Sequence, residues 1–204
     1  MYNYTDSVIK IMRKKLIGLF NNFNLSSYDE LNVINAAKAL YAEADIAVRK
    51  CLLTIARIAY IENGSNDNYD YIDYYLIAEW LSEYNPVTKY SYVNEVDRKR
   101  SRFYESLLAS TNKEEAINTA LRYFSNMATW YAIDVTDKAV LKAYKDDGIE
   151  KVVWITTKDE KTCRKCNKHD GKIYSIDKIP PKPHINCRCY FLPVIEKVKK
   201  NADW

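Results

Sequence analysis

Residues 154–174 read W-I-T-T-K-D-E-K-T-C-R-K-C-N-K-H-D-G-K-I-Y, and residues 180–193 read P-P-K-P-H-I-N-C-R-C-Y-F-L-P. Four of the five cysteines in the 204-residue chain, and both of its histidines, lie in these two segments. The cysteines form a C-x2-C pair and, after twenty intervening residues, a C-x-C pair with a histidine three positions before it. Soft metal ligands gathered at this spacing predict a metal site in the C-terminal part of the chain.

The spacing indicates zinc. Two cysteines separated by two residues on a tight turn can direct both sulfur atoms at one ion, and a second pair from a distant loop completes a tetrahedron with Zn–S distances of about 2.3 Å. The two cysteines of the C-x-C pair would face the same side of an extended strand, because side chains alternate along it. Five candidate ligands compete for four positions, and the sequence leaves open which one is excluded: Cys163, Cys166, His184, Cys187 and Cys189.

The zinc site is predicted to be structural rather than catalytic. A catalytic zinc keeps an open position for water and usually has a general base nearby. The candidate set is rich in cysteine and has no spare Glu or His in register, so we expect a closed site. His169 is the weakest candidate ligand, because it leads into Asp170-Gly171, a dipeptide typical of turns. We interpret it as a solvated loop histidine.

Three other uses of the cysteines are weighed against zinc. Disulfide bonds are the first, but the N-terminal residues do not resemble a signal peptide, and a cytosolic chain uses cysteines more often for metal or redox chemistry. A thioredoxin-like redox pair is the second, but it needs a βαβ context that the Pro-rich flanks do not supply. Free buried thiols are the third. Structural zinc is the favoured interpretation.

A wider set of residues accompanies the candidate ligands. It comprises Trp154, Asp159 and Thr162 before the first cysteine pair, Asp170, Gly171, Lys172 and Tyr174 after it, and Pro180, Pro181, Pro183, Asn186, Arg188 and Pro193 around the second pair. With these residues the chain resembles the C-terminal domain of the phage Mu protein F-like minor head proteins, tightly over residues 150–195 and loosely over residues 85–195. His169 departs from the family pattern, so no role is carried over to it. Many relatives also have a longer N-terminal half.

The resemblance implies a phage minor capsid protein that acts in head morphogenesis. It implies synthesis in the cytoplasm of the bacterial host, incorporation into the virion near the portal vertex, and the portal protein and/or the major capsid protein as partners. It also implies contact with double-stranded DNA during packaging or ejection. The alternative is a zinc-ribbon-like nucleic-acid-binding protein that acts outside the virion. A nuclease or toxin is the third class, but it would need an added domain for which 204 residues leave no room.

The rest of the chain is predicted to be helical. With 4 glycines and 18 tyrosines, the composition favours amphipathic helices over a turn-rich β-sandwich. The predicted fold is mostly α with a small α+β zinc-stapled C-terminal unit. The predicted division is into a helical N-terminal region (1–84), a helical part of the family-like region (85–148), the zinc-binding unit (149–195) and a charged tail (196–204).

Apolar periodicity and capping signals place the individual elements. Six helices are expected, over 5–24, 28–62, 71–83, 92–110 and 137–146, with one that begins at the Thr111 capping box and ends at about 131. Three strands are expected, over 151–156, 172–175 and 189–194. Ser27 and Thr111 head capping boxes, Thr136 is predicted to cap the sixth helix, and Gly148 to end it. Along the second helix, apolar residues spaced three and four positions apart form one stripe, the seam of this helix. We predict that the seam packs against a partner helix in the same chain or in a second copy, which would make a homo-oligomer. The seam residues are Ile34, Ala37, Tyr41, Ala44, Val48, Cys51, Ile55 and Ile58.

Charge and missing motifs narrow the function. The net charge of +4 combines +7 in residues 151–204 with −3 in residues 1–150, so the basic end could meet a phosphate backbone or an acidic protein. Arg98, Lys99, Arg100 and Arg102 are interpreted as a solvated face paired with nearby acidic residues rather than a DNA grip. No apolar run suits a membrane span. No Gly-rich phosphate loop, Ser/His/Asp arrangement or H-E-x-x-H motif occurs, so we predict that the protein is not an enzyme.

Overall fold

A computed structural model describes residues 3–160, 162–185 and 187–195. It is 63% helical, with a small three-stranded antiparallel sheet at the C-terminal end, which confirms the mostly helical prediction. The predicted charged tail at 196–204, and Asn186 of the family-like pattern, lie outside the described residues. The elements are α1 (Asn3–Asn21), α2 (Glu30–Asn63), α3 (Tyr74–Ser82), α4 (Tyr92–Ala109), α5 (Lys113–Asp146), β1 (Lys151–Ile155), α6 (Arg164–Asn167), β2 (Ile173–Ser175) and β3 (Tyr190–Pro193).

The helices α1, α2, α4 and α5 share one aromatic cluster. Each contributes one ring, and the ring centroids lie 5.1–6.2 Å apart in edge-on and tilted arrangements, which aromatic pairs prefer. The four residues are Phe20, Tyr41, Phe103 and Phe124. The predicted seam of α2 is buried from Ala37 to Ile55, with half-buried residues at its two ends. The partner helices of this seam therefore lie in the same chain.

Two predicted capping residues are corrected. The carboxylate of Asp29, not the hydroxyl of Ser27, accepts the hydrogen bond from the Asn32 N–H (2.9 Å) at the start of α2. At the start of α5, the side chain of Asn112, not that of Thr111, accepts the hydrogen bond from the N–H of Glu115. Asp and Asn cap at least as well as Ser and Thr, so the cap falls on the acceptor that immediately precedes each helix.

Helix α5 is continuous where the sequence predicted a break. The prediction that one helix ends near residue 131 and that Thr136 caps another is wrong, because Thr136 lies inside the 34-residue helix. Its hydroxyl donates to the carbonyl of Ala132 (2.7 Å), one turn earlier, so a buried Thr is satisfied without ending the helix. From Met127 to Val140 nearly every side chain is buried. A central helix that is buried on all sides has no single apolar stripe from which its continuity could be predicted.

Gly148 ends α5 as predicted. It adopts a positive φ of 75°, its N–H donates to the carbonyl of Lys145 (3.0 Å), and the N–H of Ile149 donates to the carbonyl of Tyr144 (2.9 Å). This is the Schellman arrangement, which satisfies carbonyls that the end of the helix leaves open. The turn directs the chain into β1.

The three predicted strands are confirmed. Their order is β2-β1-β3, with Val152 opposite Tyr174 on one side and Trp154 opposite Phe191 on the other. Trp154 and Phe191 are buried, and their rings meet edge to face at 5.1 Å. We call the helices α1 to α5 the helical body. Strand β3 packs against α5, which places the sheet and its loops at the side of the helical body. The predicted division at residues 84, 148 and 195 stays a prediction.

No helix within the described ranges is long and apolar enough to cross a membrane.

Candidate metal centre

The first cysteine pair lies on the short helix α6. Cys163 is the N-cap of this helix, and its sulfur accepts a hydrogen bond from the N–H of Cys166 (3.4 Å). The cap leaves the sulfur of Cys163 beside the start of the turn, and one helical turn brings Cys166 to the same side. Cys166 is buried and Cys163 is half-buried. The local sequence therefore orients both sulfur atoms at one point, as the C-x2-C spacing predicts.

The second group of ligands comes from the segment before β3. Nε2 of His184 lies 3.2 Å from Sγ of Cys166, and Sγ of Cys187 lies 3.6 Å from the same sulfur. Two sets of donor atoms lie within 4.8 Å of one another: Cys163 with Cys166 and His184, and Cys166 with Cys187 and Cys189. The structure thus brings all five candidate ligands together around Cys166.

Two of the distances between donor atoms are close to those of a tetrahedral zinc site. Ligands about 2.0–2.3 Å from a tetrahedral centre lie about 3.5–3.8 Å from one another. The Cys166–His184 and Cys166–Cys187 distances of 3.2 and 3.6 Å are close to this range. The donor set of thiols and one imidazole is the set that zinc prefers among divalent metals in structural sites. We therefore treat these residues as a candidate zinc site.

Burial and shared hydrogen bonds give the four thiols of the candidate site different pKa values. A hydrogen bond from Cys187 lowers the pKa of Cys189 to about 6, and the same bond raises the pKa of Cys187. Burial raises the pKa of Cys166 to about 12, while the N–H of Cys166 lowers the pKa of Cys163. Neighbouring thiolates without a cation repel one another, so some of the thiols keep their protons. Metal binding would displace those protons and make metal affinity depend on pH.

An ion pair that the cysteine spacing does not predict joins the two segments that hold the candidate ligands. We call these segments, the loop around Cys163 and the segment before β3, the two arms of the site. The guanidinium of Arg188 donates to both carboxylate oxygens of Asp159 at 2.5 and 2.6 Å. Asp159 also accepts from the hydroxyl of Thr162 (3.1 Å), which ties the loop before Cys163. Bidentate pairs of this kind fix orientation as well as distance. Asp159, Thr162 and Arg188 all belong to the wider family-like pattern, and that pattern was the only sequence signal for them.

His169 is not a solvated loop residue, which corrects the prediction. Its ring stacks on Trp154 at 4.7 Å between centroids, and its Nδ1 lies 2.7 Å from the hydroxyl of Tyr174. The turn that follows it has the predicted form, with Gly171 at a φ of 71° and the carboxylate of Asp170 accepting from the N–H of Thr156 (2.9 Å). Burial among aromatic side chains, which depends on strand pairing, decides the position of this histidine.

A buried ion pair attaches the metal-site segment to α5. Nζ of Lys182 lies 2.5 Å from a carboxylate oxygen of Asp137, and both side chains are largely buried. Burial raises the pKa of Asp137 to about 6, although Lys182 opposes that shift. The pair places the residues just before His184 against the helical body.

The basic run on α4 is paired as predicted. Arg98 and Lys99 both contact Glu95 (2.9 and 3.8 Å), and Arg100 contacts Asp97 (3.0 Å). These contacts confirm the predicted ion pairs with Glu95 and Asp97. Glu95 is buried and Arg98, Lys99 and Arg100 are half-buried, so this part of the face is not solvated as predicted.

Residues 96–192 match the family model described as phage Mu protein F like protein. The matched segment holds 97 of the 204 residues and includes α5, all five candidate ligands and the Asp159–Arg188 pair. Neither a search of curated proteins nor a search of solved structures found a match.

The match to this family model indicates a relation to phage head proteins. The family is one of structural head proteins, which points to a non-enzymatic role and to other phage head proteins as partners. It also points to the virion as the location.

Proposed function

We propose that the protein is a minor capsid protein that acts in phage head morphogenesis, as a structural component near the portal vertex. The observation that carries the proposal is the overlap between the family match and the metal centre. Every candidate ligand, the Asp159–Arg188 pair that joins the two ligand arms, and most of the sheet lie inside residues 96–192. The portal protein and/or the major capsid protein are the proposed partners, and double-stranded DNA in packaging or ejection is the proposed nucleic acid.

The second part of the proposal is a structural zinc ion held by Cys163, Cys166, His184 and Cys187. Cys163 and His184 form one set with Cys166, and the 3.6 Å distance between the sulfur atoms of Cys166 and Cys187 supports Cys187 as the fourth ligand. Cys189 is then the spare thiol next to the ion. Zinc bound there would fasten the loop after β1 to the segment before β3. The sheet has strands of only five, three and four residues, so such a crosslink would supply much of its stability.

The test of the head function is quantitative mass spectrometry of purified phage particles from the encoding strain. A low, fixed ratio of this protein to the major capsid protein in DNA-filled heads is the expected result. Presence in immature heads alone would identify an assembly factor that leaves the head. Absence from both particle types would refute the capsid role and favour the zinc-ribbon-like nucleic-acid-binding protein, for which salt-dependent binding to duplex DNA would be the evidence.

The test of the zinc assignment is elemental analysis of purified variants. Cys163→Ser and Cys187→Ser should lose the metal, whereas Cys189→Ser should keep one equivalent per chain. Cys51→Ser is the matched control, because Cys51 is a buried thiol on α2, outside both donor sets. Full zinc content and unchanged thermal stability in Cys163→Ser would refute the site. Loss of zinc in Cys189→Ser with retention in Cys187→Ser would exchange the roles of those two cysteines.

A further inference from the structure

One segment of the helical body is acidic in sequence and rich in exposed tyrosine. Residues 58–88 contain six Asp or Glu residues and no Lys or Arg. The side chains of Tyr71, Tyr74 and Tyr75 are 62%, 56% and 86% exposed, and Asp67 and Asp70 are exposed beside them in the sequence. We call these five residues the acidic tyrosine face. It lies outside the residues that match the family model.

The backbone beneath the acidic tyrosine face is held in place. Ile72 is fully buried, and its carbonyl accepts a hydrogen bond from the guanidinium of Arg57 (2.9 Å). The carboxylate of Asp73 caps α3 by accepting from the N–H of Leu76 (2.8 Å). The side chain of Asn68 accepts from the N–H of Asp70 (2.9 Å). A surface ordered in advance loses less conformational entropy when a partner binds.

The composition of the face indicates the chemistry of its partner. Tyrosine is enriched in protein interfaces and supplies a large share of their binding energy. A tyrosine ring also attracts a Lys or Arg cation placed over it, and neighbouring carboxylates attract the same cations. The acidic tyrosine face therefore suits a basic protein surface.

The chain itself carries such a surface on residues 149–195, which we call the metal-site unit. Arg164, Lys165, Lys168 and Lys172 are exposed on α6 and the turn that follows it. None of them forms an ion pair with another residue in the part of the chain that the structure describes. We call these four residues the basic cluster. Its four cations are opposite in sign to the carboxylates of the acidic tyrosine face and can lie over its tyrosine rings.

We propose that copies of the chain associate head to tail, with the basic cluster of one copy docked on the acidic tyrosine face of the next. The two surfaces differ, so the contact is heterologous and can continue into a ring or a filament. Exposed charges in the contact are screened by salt, so the association is strongest at low ionic strength. The inference goes beyond the proposed role in the phage head and does not depend on it.

The test is sedimentation velocity of the purified full-length, zinc-loaded chain over a range of concentrations at low and high salt. The wild-type chain should associate at low salt and dissociate at high salt. Tyr71→Ala/Tyr74→Ala/Tyr75→Ala and Lys165→Ala/Lys168→Ala/Lys172→Ala should each remain monomeric. The control is Lys10→Ala/Lys14→Ala/Lys15→Ala, which removes three exposed charges from α1 and should associate like the wild type.

A mixture of the two monomeric variants separates head-to-tail docking from other kinds of association. Each variant retains one intact surface, so the mixture should form a dimer of one copy of each and nothing larger. A mixture that stays monomeric, or a wild-type chain that stays monomeric at low salt, would overturn the proposal. Duplex DNA binding that depends on the basic cluster, in a chain that does not self-associate, would assign the cluster to nucleic acid instead. Zinc content and helicity of each variant confirm that it is folded.

Discussion

At the scale of single residues, the candidate metal centre is held together by side chains outside the candidate ligand set. The bidentate contact between Arg188 and Asp159 connects the residue between the C-x-C cysteines with the loop that precedes Cys163. Groups that orient ligands typically change metal affinity by one or two orders of magnitude when they are removed. The Asp159–Arg188 pair is therefore expected to determine how well the two arms are aligned before zinc arrives.

We predict that Arg188→Ala weakens zinc binding about 10- to 100-fold without removing a ligand. Competition against a chromophoric chelator measures the affinity. Arg164→Ala is the matched control, because Arg164 is an exposed arginine in the same unit. An unchanged zinc affinity in Arg188→Ala would show that the ligand arms align without the pair.

The buried pair of Lys182 and Asp137 makes a second residue-scale prediction. Removal of one partner from a buried ion pair costs about 3–5 kcal/mol, because the other charge is left unpaired. We expect Lys182→Met to lose stability of this order at pH 8, measured by urea unfolding. Lys178→Met, which changes an exposed lysine of the same unit, should have little effect.

The loss in Lys182→Met should depend on pH. Burial already raises the pKa of Asp137 to about 6 in the presence of Lys182, and without that cation the pKa rises further. A carboxyl group whose folded pKa exceeds its unfolded value of 3.8 stabilises the fold below the folded pKa and loses that contribution as the pH rises through it. The deficit of Lys182→Met relative to wild type should therefore shrink between pH 8 and pH 6. An equal deficit at both pH values would contradict burial of an unpaired carboxylate.

At the scale of elements, Gly148 and Gly18 make opposite predictions. Gly148 has a φ of 75°, whereas Gly18 lies inside α1, and a Cβ at either position would meet no atom within 4 Å. Gly148→Ala should destabilise the protein by about 1 kcal/mol because of backbone strain. Gly18→Ala should stabilise it by about 0.5–1 kcal/mol, because alanine favours the helix and restricts the unfolded chain. Thermal unfolding of the two variants should therefore shift in opposite directions, and shifts of the same sign would contradict the helix-end assignment.

At the scale of the whole molecule, the helical body and the metal-site unit differ in what stabilises them. The body has an aromatic cluster drawn from four helices, far from any candidate ligand in sequence. The sheet of the metal-site unit has three short strands and few buried side chains, chiefly Val152, Trp154 and Phe191. We therefore expect the two parts to respond differently to loss of zinc.

Chelation of zinc should unfold the metal-site unit and leave the helical body folded. Far-UV circular dichroism should retain most of its helical signal, while hydrogen exchange should accelerate over residues 151–155 and 190–193. Addition of zinc should restore protection in these strands. Loss of helicity in parallel with the metal would show instead that the body and the unit fold as one cooperative system.

The sequence by itself determined the features that rest on neighbouring residues. The C-x2-C and C-x-C spacing predicted that the thiols would gather, because short turns orient residues two or three positions apart. The same holds for the three strands and for Gly148, whose freedom to adopt a positive φ ends α5. The wider family-like pattern identified Asp159 and Arg188 as part of the site, although not as partners.

Only the tertiary structure decided features that depend on residues distant in the sequence. Thr136 lies within a continuous helix because α5 is surrounded by the rest of the body, and burial overrides the local signal for a cap. His169 packs on Trp154 because strand pairing brings the two rings together. The pairing of Lys182 with Asp137 crosses from the metal-site unit to α5. Such contacts form only when the free energy gained by packing exceeds the conformational entropy lost in joining distant segments. No local sequence pattern therefore predicts them.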